Sequence, residues 1–418
     1  MPCAPNSSHP RGGMGLYIHV PFCHAKCPYC DFYSVLGARW RAGYVEALCW
    51  ELELARPLLP LPVQSVYLGG GTPSVLSLDE LGRIIAAVRR SYAPYGLPEV
   101  TLECNPEDGT VDYLRGLREL GVNRLSVGVQ ATDDALLRYL GRRHTVVQSR
   151  AVVEEAQSAG FRNISADLIY GLPAMGTDAV YESVREVLSW GVQHLSAYHL
   201  QLEEGTPFGF RSEQGRMRVI AEEDSLAHYE AVVRAVESCG MHQYEVSSYA
   251  YLGCESRHNS LYWVGVPYLG VGPGAHSYDG HARWSNPRDV RGYVSTLAQG
   301  RLPRVVEELS PEAVFEEYLL TRLRTVWGVD VAEFTRLFGA LLRDRLLGRA
   351  HPWVERGALR AESGRLHVTR AGFPVLDALI LDLSQAWEDG ETANSVSSLC
   401  DSSDGSPCGL RPAAALLR

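Results

Sequence analysis

Close to the amino end the segment PFCHAKCPYCDFY carries three cysteines, Cys23, Cys27 and Cys30, spaced C-x3-C-x2-C. Three thiolates on one short loop can take three corners of a [4Fe–4S] cube and leave one iron without a protein ligand. An iron left open in this way can bind a small molecule, whereas four cysteine ligands close a cluster and suit it to electron transfer alone. Structural zinc is the competing chemistry, but it usually needs a fourth Cys or His from a second ligand pair. His24 lies directly beside Cys23, and adjacent residues make an awkward pair of ligands.

More polar residues of unusual type recur at intervals: GGGTP (Gly69 to Pro73), Glu103 in ECNP, Gln130 in VGVQ, Arg142 in LGRRHT and Asp167 in ADLIYGLP. Any one of them could be a turn or a cap. Nearly all follow short β-rich runs, namely Leu16 to Val20, Ser65 to Leu68, Glu99 to Glu103, Asn123 to Val129 and Asn163 to Ile169; a sixth run is Val192 to Tyr198. Amphipathic stretches separate the runs: Tyr44 to Ala55, Leu78 to Arg90, Asp112 to Leu120 and Val146 to Ala159. Strand–helix alternation of this kind predicts parallel strands joined by crossovers. About six units are visible, fewer than a closed eight-unit barrel needs, so an α/β fold with a partial (βα)6-type barrel is expected. In such folds the site forms at the carboxyl ends of the strands, where these residues fall.

A C-x3-C-x2-C loop after the first strand of a partial (βα) barrel resembles the radical SAM superfamily; Tyr29, before the last cysteine, fits that habit. The resemblance implies a [4Fe–4S] cluster on Cys23, Cys27 and Cys30 whose open iron is chelated by S-adenosylmethionine, which the reduced cluster can cleave. From Leu16 to about Tyr278 the chain is similar to the coproporphyrinogen-III-dehydrogenase-like branch. That likeness implies that Tyr17 touches the cofactor and that Gly70, Gly71 and Thr72 contact the methionine amino group with Glu103. It further implies that Gln130 and Asp167 bind the ribose hydroxyls and that Arg142 pairs with the methionine carboxylate. The residue types suit those roles, a guanidinium for a carboxylate and carboxylates or amides for hydroxyls and ammonium.

Two activities exist in that branch. The dehydrogenase decarboxylates two propionates of coproporphyrinogen III; its motif continues as C-x3-C-x2-C-x-C and a long segment precedes its barrel. Here Phe32 stands at the fourth cysteine position and only Met1 to Met14 precede Gly15, which points away from that activity. The haem chaperones of the branch share an H-N-x-x-Y-W signature, and this chain has HNSLYW: His258, Asn259, Tyr262 and Trp263. Histidine is a good axial ligand for haem iron and aromatic rings can wall a porphyrin face; equally, such a group can be a hydrogen-bonded His among core aromatics. His276 in GVGPGAHSY is a second candidate ligand, and His19 and His199 lie beside strands near the site. The expectation is a haem chaperone carrying haem as cargo to acceptor apoproteins, with an electron donor such as a flavodoxin; a homodimer is compatible with it. A radical SAM oxidoreductase acting on a tetrapyrrole is the alternative.

The rest of the composition bounds this reading. A net charge of -10 argues against non-specific nucleic-acid binding. There is no run of eighteen or more apolar residues, hence at most a peripheral membrane contact, and MPCAPNSSHPRGG lacks a secretory core, so the cytoplasm is the expected setting. Ten cysteines spread along 418 residues do not make a disulfide framework; Cys49, Cys104 and Cys239 read as core and Cys400 and Cys408 carry no assigned role. Ala221 to Cys239 reads as a further helix, and Tyr244 to Tyr278 as a structured Gly- and aromatic-rich loop. The expected organisation is a disordered start (1–14), the barrel (15–240), haem-site loops and a connection (241–305), a small α-rich, winged-helix-like domain (306–384) and a disordered tail (385–418).

Overall fold

The computed structural model describes residues 12–173 and 175–388, with the backbone alone described at 95–97. Most of the expected disordered start, the tail from 389, and Cys400 and Cys408 lie outside the described residues. The chain divides after Leu309 into two compact units.

Six strands of the first unit run in sequence order and in parallel: β1 (Met14–Val20), β2 (Val63–Gly70), β3 (Pro94–Cys104), β4 (Arg124–Gln130), β5 (Ile164–Tyr170) and β6 (His194–His199). A helix follows each: Arg41–Leu54, Leu78–Ser91, Val111–Leu120, Val146–Ser158, Thr177–Ser189 and Glu222–Ser238. Five of the strands and five of these helices match the sequence reading to within a few residues; β3 begins five residues earlier than the run from Glu99, and Thr177–Ser189 was not anticipated. Local chemistry sets the helix ends. Ser77 and Glu80 close a reciprocal capping box before Leu78–Ser91, whose Leu81, Ile84, Ile85 and Val88 bury one face. Thr110 caps Val111–Leu120, and Gly121, at φ 97°, ends it in the left-handed conformation.

Along β4 the alternation of strand geometry sorts the chain. Leu125, Val127 and Val129 are fully buried, while Arg124, Ser126, Gly128 and Gln130 take the other face. The inner face of the sheet therefore carries Tyr17, Tyr67, Thr101, Glu103, Arg124, Ser126, Asp167, His194 and Ser196, where a closed barrel would stack Val, Ile and Leu. A barrel lined in this way is built to surround something polar.

After β6 come β7 (His242–Glu245), β8 (Ser248–Ala250), β9 (Tyr268–Val271), β10 (His276–Tyr278), β11 (Ala282–Ser285) and β12 (Val305–Glu308). The sheet order is β12-β11-β10-β9-β1-β2-β3-β4-β5-β6-β8-β7, open at both ends. β9 returns to pair in parallel with the free side of β1; the outer strands pair antiparallel. Tyr244 to Tyr278 is thus not a loop, as its composition implied, but short strands around a helix, Arg257–Trp263. Elements of three to seven residues are too short to show a period. The glycines read as loop markers serve close packing: a Cβ on Gly270 would lie 2.0 Å from the carbonyl oxygen of His276. The buried carboxylate of Glu51 then fixes this return, accepting from Gly272 N (2.7 Å), Asn286 Nδ2 (2.6 Å) and the Tyr293 hydroxyl (2.5 Å).

The second unit is α-rich, as expected. Helices Pro311–Leu323 and Leu376–Ser384 flank Val331–Glu355, which breaks at Gly339 (φ 86°). Val329–Asp330, Arg365–Val368 and Leu359–Glu362 form a three-stranded antiparallel sheet in that order. Phe315 and Tyr318 each meet Phe334 and Phe338 edge to face, Phe334 and Phe338 lie tilted against each other at 4.9 Å, and Trp387 packs on Phe315 at 5.5 Å. Residue 387 is therefore part of this core, although its polar neighbours in the sequence read as tail.

Candidate cofactor site at the strand ends

β1 stops at Val20 and the cysteine loop begins. Phe22–Cys23 pairs with Val35–Leu36, closing the loop on itself, and Cys30 N donates to Cys27 O (3.2 Å). The GGGTP turn lies against this loop: Gly71 N donates to Val20 O (2.9 Å), and a Cβ there would sit 2.8 Å from the carbonyl oxygens of both Val20 and Phe22. Gly70 has φ 106° and a Cβ on it would strike the His19 imidazole at 2.5 Å. Only glycine fits at either position.

All three thiols are free and half-buried. The Thr72 hydroxyl donates to Cys23 Sγ (3.4 Å) and Arg142 Nη1 to Cys27 Sγ (3.6 Å). Arg142 Nη2 is held by Asn105 Oδ1 (2.7 Å) and Gly128 O (3.1 Å), and Asn105 Nδ2 reaches Thr72 Oγ1 (3.4 Å). Burial pushes the Cys23 thiol up and Cys30 to about 12, so metal loading must expel their protons. Among the described residues no three His, Cys, Asp or Glu donors converge on a single ion, and His24 turns to Asp108 (3.5 Å) instead. A cube spreads its three ligands more widely than a single ion does, and three soft thiolates with nearby donors suit it.

Above the inner face, Glu103 accepts from the Tyr67 hydroxyl (2.9 Å) and Gly70 N (3.1 Å). Burial, reinforced by Asp167, raises its carboxyl to about 7. Asp167, raised by burial, accepts from Ser126 Oγ at 3.2 Å. Gln130 ends β4 with φ 67°, a left-handed conformation costly for a side-chain-bearing residue and typical of functional positions. Tyr17 OH meets His19 Nδ1 (3.1 Å), and His19 Nε2 meets Tyr33 O (2.9 Å), tying β1 to the cysteine loop. Of the other residues singled out in the sequence, His199 bonds Ser225 (2.8 Å) and His276 is exposed. Cys104 is buried, whereas Cys49 and Cys239 are half-buried rather than core.

The HNSLYW helix lies elsewhere. Gly15, Ser65 and Glu99 are register partners, five residues or about 16 Å before the strand ends at Val20 and Gly70. His258 sits beside them, 1% exposed, with Nδ1 on Ser65 Oγ (2.8 Å) and Nε2 on the Tyr262 hydroxyl (2.7 Å). Its ring stacks on Tyr67 at 5.0 Å, and burial, with Arg124 adding, lowers its pKa to about 3. Both of its ring nitrogens are engaged. Asn259 and Trp263, one helical turn apart, lie half-buried. The sequence reading missed Ser65, Glu99, Asn105 and Ser126. Their strand parity was the available signal.

An open parallel barrel with a three-thiol loop after its first strand is the radical SAM architecture. Residues 17–187 match the family model of the Radical SAM superfamily and residues 309–375 that of the HemN C-terminal domain. The protein named heme chaperone HemW from Bacillus subtilis is 34% identical, covering 85% of this chain and 95% of the relative. Its namesake from Mycobacterium tuberculosis is 36% identical over 90% and 95%. A mouse relative, radical S-adenosyl methionine domain-containing protein 1, mitochondrial, is 32% identical over 93% and 91%. Coproporphyrinogen III oxidase (HemN) from Escherichia coli shares the fold, with a TM-score of 0.76, 20% identity and coverage of 90% and 91%. The chain belongs to the radical SAM superfamily, within its coproporphyrinogen-III-dehydrogenase-like branch and the group of HemW proteins.

Proposed function

We propose that this protein is a haem chaperone that carries a [4Fe–4S] cluster on Cys23, Cys27 and Cys30, binds S-adenosylmethionine at the strand ends, and passes haem to acceptor apoproteins. The observation that carries the reading is the loop of three free thiols with Thr72 and Arg142 aimed at two of them, on a chain matching HemW proteins over most of its length. When bound, such a cluster supplies an electron and an open coordination position. Arg142, fixed by Asn105, holds a cation where a carboxylate would bind. Glu103, Gly70, Gly71 and Thr72 form a polar edge for an ammonium group, Tyr17 flanks it, and Gln130 and Asp167 offer acceptors to ribose hydroxyls. The raised Glu103 carboxyl becomes fully ionised once a cation sits beside it.

Haem as cargo follows from the name of the relatives and from HNSLYW, with Asn259 and Trp263 beside a ligand drawn from His258. An electron donor such as a flavodoxin, a homodimer and a cytoplasmic setting complete the proposal; among the described residues no helix is long and apolar enough to cross a membrane. Anaerobic iron–sulfur reconstitution, haem titration and a coproporphyrinogen III assay on one sample test it. A broad iron–sulfur absorption, a Soret band and transfer of haem to an apoprotein are expected. Turnover of coproporphyrinogen III with consumption of S-adenosylmethionine would replace the chaperone with the dehydrogenase.

A further inference from the structure

We propose that Glu107 and His144 are positioning residues for Arg142, holding its guanidinium where the carboxylate of S-adenosylmethionine would bind. This rests on the reading of that cofactor at the strand ends. Arg142 and His144 stand two residues apart on one short connection, and both reach back to the end of β4. Arg142 Nη2 donates to Gly128 O (3.1 Å), and His144 Nε2 meets Val129 O (3.1 Å). The same two side chains also meet the turn after β3. Arg142 Nη2 donates to Asn105 Oδ1 (2.7 Å), and His144 Nδ1 lies 3.4 Å from Glu107 Oε2. Two parallel rungs therefore pin the connection. The first reaches the cysteine loop, through Arg142 Nη1 on Cys27 Sγ (3.6 Å), and the second stands behind it.

An arginine side chain is long, and ordering it costs rotamer freedom unless its surroundings fix it beforehand. His144 supplies the buried anchor of this connection: it is 3% exposed, whereas Gly141 and Arg143 on either side of Arg142 face solvent. Gly141, at φ 70°, sets the connection directly against the cysteine loop, since a Cβ there would lie 2.7 Å from Pro28 Cδ. Glu107, the partner of His144, stands on a turn that is itself braced. Asp108 N closes that turn on Asn105 O (3.1 Å), and Ser74 ties it to the GGGTP segment by donating to Asp108 Oδ2 (2.7 Å) and accepting from Asn105 N (3.1 Å). Burial would raise the Glu107 carboxyl, but His144, a backbone amide and the Arg142 guanidinium together hold it below its usual range. The carboxylate is thus a fixed post for the imidazole. Without it the guanidinium spreads over more orientations, and affinity for a carboxylate falls with the fraction that remains aligned.

The test uses the full-length, cluster-reconstituted chain under anaerobic conditions and two probes, S-adenosylmethionine and its decarboxylated form, which differ only in the carboxylate. Glu107→Ala and His144→Ala should each bind S-adenosylmethionine about tenfold more weakly than the wild type by equilibrium dialysis. Affinity for the decarboxylated form and iron bound per chain should not change. In an Arg142→Ala background, Glu107→Ala should cost nothing further, because residues that act through one another are not additive; this arm decides if the wild type binds the decarboxylated form too weakly to measure. Wild-type affinity in both variants would overturn the positioning role while leaving the cofactor site. So would equal losses for the two probes, a loss that adds to that of Arg142→Ala, or loss of iron, each of which marks general support of the loop. A reconstituted wild type that binds no S-adenosylmethionine would sink the cofactor reading, and the positioning role with it.

Discussion

Cys27 illustrates how single residues divide the work: its thiol would hold iron, while Arg142, 3.6 Å away, answers the charge that thiol acquires. Changing any one of Cys23, Cys27 or Cys30 to Ala should abolish a stable cluster, read as loss of the broad visible absorption and of iron bound per chain, with the circular dichroism unchanged. The buried histidines predict a pH dependence in the cluster-free chain. His258 (about 3) and His19 (about 4) both lie below their ordinary 6.5 because burial disfavours the cation. The unfolded chain therefore binds more protons between those values, and their contribution, complete above pH 6.5, is lost as pH falls towards 3–4. Each costs up to about 1.4 kcal/mol per pH unit in that window. His258→Gln should flatten the fall in urea-unfolding free energy between pH 6.5 and 4.5. Glu103 has the opposite sign: raised from 4.5 to about 7, its contribution is complete below pH 4.5 and lost as pH rises through 7. An equal pH slope in wild type and His258→Gln would refute the histidine assignment.

On the scale of elements, the meeting of GGGTP with the cysteine loop is the critical contact. Gly71→Ala would drive a methyl group to within 2.8 Å of two backbone carbonyls, which cannot move as a side-chain tip can. It should destabilise the chain by about 1–3 kcal/mol and impair cluster retention, seen as faster loss of the iron–sulfur absorption. Gly82→Ala, on a helix where a Cβ meets only Leu120 at 3.4 Å, should leave cluster retention unchanged. If Gly71→Ala retains the cluster as the wild type does, the close approach carries no weight.

For the whole molecule, the two units define a further experiment. Every residue named at the strand ends and around His258 lies before Leu309, and the unit after it has its own aromatic core around Phe315. A chain ending at Leu309 should therefore reconstitute with the same iron stoichiometry as the full chain. A soluble, folded fragment that fails to take up iron would assign the second unit a part in loading.

Much of this was legible before any tertiary structure. The Cys23 loop is local, so its spacing alone announced a cluster, and the six β-rich runs announced the parallel strands that carry Glu103, Gln130 and Asp167. Thr72, Asn105 and Arg142 follow three different strands, and only folding brings them to the thiols. The short elements after β6 were hidden because three to seven residues show no period. His258 marks the boundary most sharply. The sequence by itself determined that an imidazole stands four residues from a tyrosine on one turn of chain. Only the tertiary structure decided that β9 returns beside β1 and turns that imidazole inward, onto Ser65 and Tyr67, because contacts between residues nearly two hundred apart are set by packing and leave no trace in local spacing.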